Sequence, residues 1–248
     1  MTGDHLVGHI VLDLSHKNRL FVVGDIHGEY SLLEEELNKV DFNPTQDALV
    51  LVGDLADRGP ESITALDWIK RPYVYRALGN HDIMPGLYLN NQETKRTIDS
   101  WGGGWFTNLP DSEIKQIAEA FEDAPVCMTV ITPNKFKVGI AHADCLSDWN
   151  EQIEALSVGS KKRTWVRDLT LWKRNTINTL MNLQKEGLPL DPAITHVKNI
   201  DHVFHGHTIL GSPFTLSNRS WIDTGAYMGG DLTLIDIDKF LQERKPRL

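Results

Sequence analysis

The chain has 248 residues, 41% of them apolar and 24% charged, with a formal net charge of −9. That length closes one core or at most two, and no apolar run approaches the ~20 residues a membrane span needs, so no membrane partner is expected. The acidic balance excludes a stable nucleic-acid partner, because phosphate backbones demand a basic surface.

Taken in chain order, short apolar runs that stop at glycine read as buried strands. Arg19 to Val23 stops at Gly24 and opens Asp25-Ile26-His27-Gly28. Ser31 and Glu34 form a capping box for a helix whose stripe is Leu33, Leu37 and Val40. Ala48 to Val52 stops at Gly53 and opens Asp54-Leu55-Ala56-Asp57-Arg58-Gly59. Pro60 starts a second helix, with Ile63, Leu66 and Ile69 recurring through Lys70. Val74 to Leu78 precedes Gly79-Asn80-His81-Asp82. This β-α-β-α-β order predicts a parallel start to the sheet. A third helix is predicted over 112–121, with Ile114, Ile117 and Phe121 inward. Phe136 to Ile140 leads to Ala141-His142-Ala143-Asp144, and His202 to Phe204 leads to Gly206-His207-Thr208. Arg219 to Asp223 and Leu232 to Ile237 complete the strands. Without internal repeats or linkers, the chain is expected to be one α/β domain over 1–248.

Polar residues just past strand C-termini follow the site rule of α/β sheets. Asp25 and His27 alternate across one residue and so point to one side of an extended segment, where both can hold one metal. Asp54 is the natural bridging carboxylate, Asn80 offers a neutral carbonyl oxygen, and His142 and His207 complete a second metal. Asp, Asn and His ligands suit a pair of divalent cations, Mn²⁺ first, with Fe, Zn, Ni or Mg as alternatives. Such a pair is the usual means of activating water against a phosphate ester. His81 is placed as general acid and Asp57 as the group that holds its ring, or as a cap for the helix near Pro60. Arg58 can bind phosphate oxygens bidentately. His205, two residues before His207, is read as structural. These residues point to a metal-dependent phosphoesterase acting on a phosphoprotein or small phosphate ester.

In order and kind, the motifs resemble the PPP-type serine/threonine phosphatases of the calcineurin-like metallophosphoesterase superfamily. The bacteriophage-lambda type matches over nearly the whole chain. The match includes Gly102-Gly103-Gly104-Trp105-Phe106, Trp172-Lys173-Arg174 and Ile222-Asp223-Thr224-Gly225-Ala226. The resemblance implies two mixed β-sheets packed as a sandwich and flanked by helices. It implies one metal on Asp25, His27 and Asp54 and another on Asp54, Asn80, His142 and His207. Arg58 and Arg174 would clamp the phosphate, Asn80 beside them, with His81 and Asp57 as the acid pair. Two departures stand out: Leu78 replaces an expected phosphate-binding arginine, and Asp82 replaces glutamate. Leu78-Gly79-Asn80-His81-Asp82 instead resembles the symmetrical diadenosine tetraphosphate hydrolases; a metal-free scaffold of the same fold is a third reading. The stretch from Cys145 to Trp172 exceeds that of the lambda type and is read as a helical cover, or else a substrate-selecting lid. Cys127 and Cys145 lack zinc-type spacing, and Met1 to Leu14 lacks the basic and apolar regions of a secretory signal. A monomeric, cytoplasmic protein of bacterial or phage origin is expected.

Overall fold

A computed structural model describes residues 5–244; the remaining residues of the expected 1–248 domain lie outside it. Its strands are β1 (His9–Asp13), β2 (Leu20–Val23), β3 (Ala48–Leu51), β4 (Val74–Arg76), β5 (Cys127–Ile131), β6 (Lys137–Ala141), β7 (His202–His205), β8 (Phe214–Leu216), β9 (Arg219–Trp221) and β10 (Leu234–Asp236). The helices are α1 (Tyr30–Lys39), α2 (Ala65–Trp68), α3 (Met84–Leu89), α4 (Lys95–Ser100), α5 (Asp111–Glu122), α6 (Trp149–Leu156), α7 (Arg163–Trp172), α8 (Asn175–Lys185) and α9 (Ile237–Arg244).

Two mixed sheets result, one in the order β1-β5-β6-β7-β9-β8 and one in the order β10-β2-β3-β4. The β2-β3-β4 core of the smaller sheet is parallel, as the strand-helix-strand order predicts. Strand periodicity divides the core. Leu20, Val22, Ala48 and Val50 face Met128, Val130, Val138 and Ile140 of the other sheet. Their neighbours Phe21, Val23, Leu49 and Leu51 face outward onto α1, α2 and α5. Cys127, Ala141 and Val203 pack beneath Trp149, Leu156 and Val166 of α6 and α7. The architecture is therefore helix, sheet, sheet, helix, the sandwich that the resemblance implies. Among the described residues no helix is long and apolar enough to cross a membrane.

Several local expectations need correction. The first helix begins at Tyr30 without a side-chain cap, and Ser31 bonds Glu61 through its amide (2.7 Å) and hydroxyl (2.6 Å) rather than joining Glu34. A carboxylate from a distant loop thus satisfies the first-turn amide. Val40 is the half-buried C-cap of this helix. After Pro60 the chain makes a short 3₁₀ turn before α2, and the inward face is Ser62, Ala65 and Trp68. Of the expected stripe, Leu66 and Ile69 are half-buried against the core, while Ile63 is 54% exposed. Ile237 opens α9 instead of ending a strand. The stretch after Cys145 forms α6 and α7 over the larger sheet. Trp149 lies flat on Gly139, where an added Cβ would sit 2.7 Å from the indole.

Candidate metal centre

The strand ends converge because the loops after β2, β3, β4, β6 and β7 hydrogen-bond to one another. Ile26 and His27 donate to the Asp54 carbonyl, Gly59 to the His27 carbonyl, and Gly206 to the His142 carbonyl. Gly79 must be glycine, because a Cβ there would run into the backbone and carboxylate of Asp54. His27, Asp54, Asp57, Arg58 and His207 all sit at positive φ, between 45° and 71°. Such backbone costs on the order of 1–3 kcal/mol per residue and persists only where the surroundings over-determine it.

Asp54 is the hub. Its Oδ1 accepts from the His81 amide at 2.9 Å, and its Oδ2 lies 3.4 Å from His27 Nε2 and 3.2 Å from His142 Nε2. Asn80 Oδ1 is 3.1 Å from the same His142 nitrogen. Carbonyl partners fix the tautomers. Nδ1 of His27 donates to Ala56 O (2.8 Å) and Nδ1 of His142 to Val52 O (3.0 Å), so Nε2 of each ring turns to the centre. His207 is the reverse: its Nε2 donates to Trp172 O at 3.1 Å and leaves Nδ1. Asp25 Oδ2 accepts from the His207 amide at 2.9 Å, while its buried Oδ1 has no hydrogen-bond partner. Ring lone pairs converging on carboxylate oxygens, with an orphaned acceptor beside them, are what a divalent cation satisfies.

Two sets of donor atoms lie within 4.8 Å of one another: Asp54, His142 and His207, and His27, Asp54 and His81. The second set contains His81 where Asp25 was expected. His81 is already engaged, with Nδ1–H on Asp57 Oδ2 (2.8 Å) and Nε2 beside Arg58 Nη2 (2.8 Å). The orphaned Asp25 Oδ1 makes Asp25 the better candidate. Charge is partitioned accordingly. Burial lowers His27 and His207 to about 3, which leaves both rings neutral. Burial raises Asp25, with further upward pressure from Asp223 and Asp54. Burial works against the Asp54 charge, but the His142, His81 and His27 imidazoles hold its carboxyl well below the ordinary range.

Around this buried cluster stand two exposed arginines. Arg58 donates through Nη1 to His27 Nε2 at 2.7 Å and stacks over the Tyr227 ring at 4.6 Å. Arg174 donates to His207 O at 2.9 Å. His27, Asp54, His142 and His207 thus converge, with Asn80 beside His142 and Asp25 bonded to the His207 amide.

Other groups support the centre from outside it. Trp105 Nε1 donates to Asp57 Oδ1 at 2.7 Å, and the Gly102 carbonyl accepts from the Arg58 amide. The Gly102-to-Phe106 segment therefore buttresses the His81–Asp57 pair. Asp82 accepts from the amides of Asp54, Leu55 and Gly79 (3.1, 3.0 and 2.8 Å), joining two loops. Asp144 pairs with buried Arg219 at 2.8 Å and accepts from the Thr176 amide at 2.9 Å, tying the His142 loop to the segment carrying Arg174. Leu78 is fully buried in apolar core, and Arg76 donates to the carbonyls of Ala120 and Phe121, so Arg76 does not stand in for the absent arginine. His205 bonds Ala141 O at 2.6 Å and stacks on Trp221, clear of the centre.

Known proteins carry related chains. Serine/threonine-protein phosphatase 2 of Escherichia coli (strain K12) is 30% identical over 229 residues, 91% of this chain and 96% of that protein. A symmetrical bis(5'-nucleosyl)-tetraphosphatase of Photorhabdus laumondii is 40% identical over only 85 residues, 32% of this chain and 31% of that protein. A crystal structure assigned provisionally as a diadenosine tetraphosphatase superposes with a TM-score of 0.62, 18% identity, and coverage of 93% of this chain and 98% of that one. That likeness speaks to the fold alone. Residues 19–210 match the family described as calcineurin-like phosphoesterase, and with a full-length relative at 30% identity this chain belongs to that family.

Proposed function

We infer that the protein is a metal-dependent phosphomonoesterase acting on phosphoserine and phosphothreonine. Two divalent cations, Mn²⁺ as the expected pair, would be held by Asp25, His27 and Asp54 and by Asp54, Asn80, His142 and His207, and would supply the positive charge that activates water and neutralises a phosphate ester. Arg58 and Arg174 orient the phosphoryl oxygens from the exposed rim, with the Asn80 amide beside them. His81, in the form protonated on both ring nitrogens, would deliver the Nε2 proton to the departing serine or threonine oxygen, while Asp57 holds Nδ1–H and orients the ring. Trp105 fixes Asp57 in turn.

The observation that carries this reading is the His81–Asp57 pair beside Asp54, with Arg58 on His81 and Arg174 on the His207 carbonyl. The substrate class rests on the full-length likeness to the E. coli serine/threonine-protein phosphatase.

A second reading, symmetrical dinucleoside tetraphosphate hydrolysis, is favoured by Leu78-Gly79-Asn80-His81-Asp82 and by the segment shared with the Photorhabdus protein. A side-by-side assay of a phosphoserine peptide and diadenosine tetraphosphate separates the two. The expected result is a higher kcat/KM for the peptide; a large preference for the dinucleotide would overturn it.

A further inference from the structure

Asp223 follows β9 in a turn closed by Gly225, which sits at φ +72° and donates its amide to Asp223 Oδ1 at 3.0 Å. The other oxygen, Oδ2, is buried and has no hydrogen-bond partner, and the residue is 1% exposed. Asp25 Oδ1 is in the same condition on a residue 3% exposed. The two segments touch: a Cβ on Gly24 would meet the Ile222 carbonyl and lie 3.6 Å from Asp223 Cα. The Asp223 carbonyl also accepts from the Leu210 amide, which ties its turn to the loop after His207.

Two buried carboxylate oxygens without donors, on adjoining segments of one site, make an unfavourable arrangement in protein alone. Arg58, the guanidinium nearest in effect, is turned to His27 and His81. A divalent cation resolves the conflict, since it supplies charge to both oxygens at once.

We propose that Asp223 is a further member of the metal centre, its Oδ2 supplying a third carboxylate to the cation held by Asp25, His27 and Asp54. This rests on the metallophosphoesterase reading above and adds an asymmetry to it. The Asp25 position becomes oxygen-rich, with three carboxylates and one imidazole, and suits a hard cation such as Mn²⁺ or Mg²⁺. The His142 and His207 position is richer in nitrogen.

The test is Mn²⁺ binding by calorimetry and electron paramagnetic resonance on the full chain, wild type against Asp223→Asn and Asp223→Ser, with the melting temperature of each metal-free protein. The expected result is two sites in the wild type. In both variants one site weakens by about 10- to 100-fold, the scale of losing a supporting partner at a metal, while the other is unchanged. The metal-free variants melt at or above the wild-type temperature, because a buried carboxylate oxygen without a hydrogen-bond donor has been removed. Wild-type affinities at both sites in the variants would overturn the proposal. So would variants that melt lower or fail to fold, since Asp223 would then be structural. A wild type that binds no Mn²⁺ would instead remove the metallophosphoesterase reading, and this assignment with it.

Discussion

His81 and Asp57 form a short chain of hydrogen bonds that ends in the indole of Trp105. Because the His81 ring is committed to Asp57 and Arg58, His81→Asn should lower kcat by about 10² to 10⁴, the usual scale of general acid catalysis, with metal content unchanged. Loss of metal in that variant, measured by elemental analysis, would reassign His81 as a ligand. Trp105→Phe removes one donor to a buried carboxylate. The expected cost is about 1.5–3 kcal/mol in the barrier, the worth of a hydrogen bond to a charged group, read as a fall in kcat with KM and metal content retained. Unchanged kcat would show that the indole only packs.

At the scale of elements, the site depends on loops stapled together. Asp82→Ala would leave the amides of Asp54, Leu55 and Gly79 without their buried acceptor. Each orphaned amide costs about 1–3 kcal/mol, so thermal unfolding should show a large drop in melting temperature together with weaker metal binding. A variant that melts like wild type would mean that water replaces the carboxylate. The loops themselves were legible in the sequence. Apolar runs that stop at Gly24, Gly53 and Gly79 announce buried parallel strands, and the glycines announce close backbone approach. Other elements gave weaker signals. In β1 Val11 is 59% exposed, so the strand lacks a buried run; its place is set by pairing with β5. The α1 cap comes from Glu61, thirty residues away, which no local pattern encodes. For the same reason Trp105 and Asp223 could be named from a resemblance but not given a role. Trp105 meets Asp57 from 48 residues away, and the Asp223 turn meets the Gly24 segment only where the two sheets adjoin.

For the whole molecule, metal binding and protonation are linked. His27 and His207, near 3, need no deprotonation at ordinary pH. Asp25 is raised, chiefly by burial. In His142 burial works to lower the value, but the Asp54 charge and hydrogen bond hold it above the ordinary one. Cation binding must therefore displace protons from these two groups, and affinity should rise with pH through their raised values. Calorimetry in two buffers of different ionisation heat should show net proton release at mildly acidic pH; no release would contradict the charge assignment. The sign for stability follows from the same shift. A raised Asp25 stabilises the metal-free fold below the unfolded carboxylate value, and that contribution is lost as pH rises through the folded one. Cations should thus stabilise most at neutral pH, by about 2.7 kcal/mol per site at a hundredfold excess over Kd. Chelation should reverse the gain in melting temperature, and an unchanged melting curve would count against a built site.

The centre as a whole depends on Asp54, the residue whose oxygens face His27, His142 and the His81 amide together. The most direct test is the number of Mn²⁺ ions retained per chain after loading and gel filtration, in wild type and in Asp54→Asn. The account predicts two for the wild type and fewer than one for the variant, because both cations lose the same carboxylate. Two ions retained by Asp54→Asn, or none by the wild type, would contradict it.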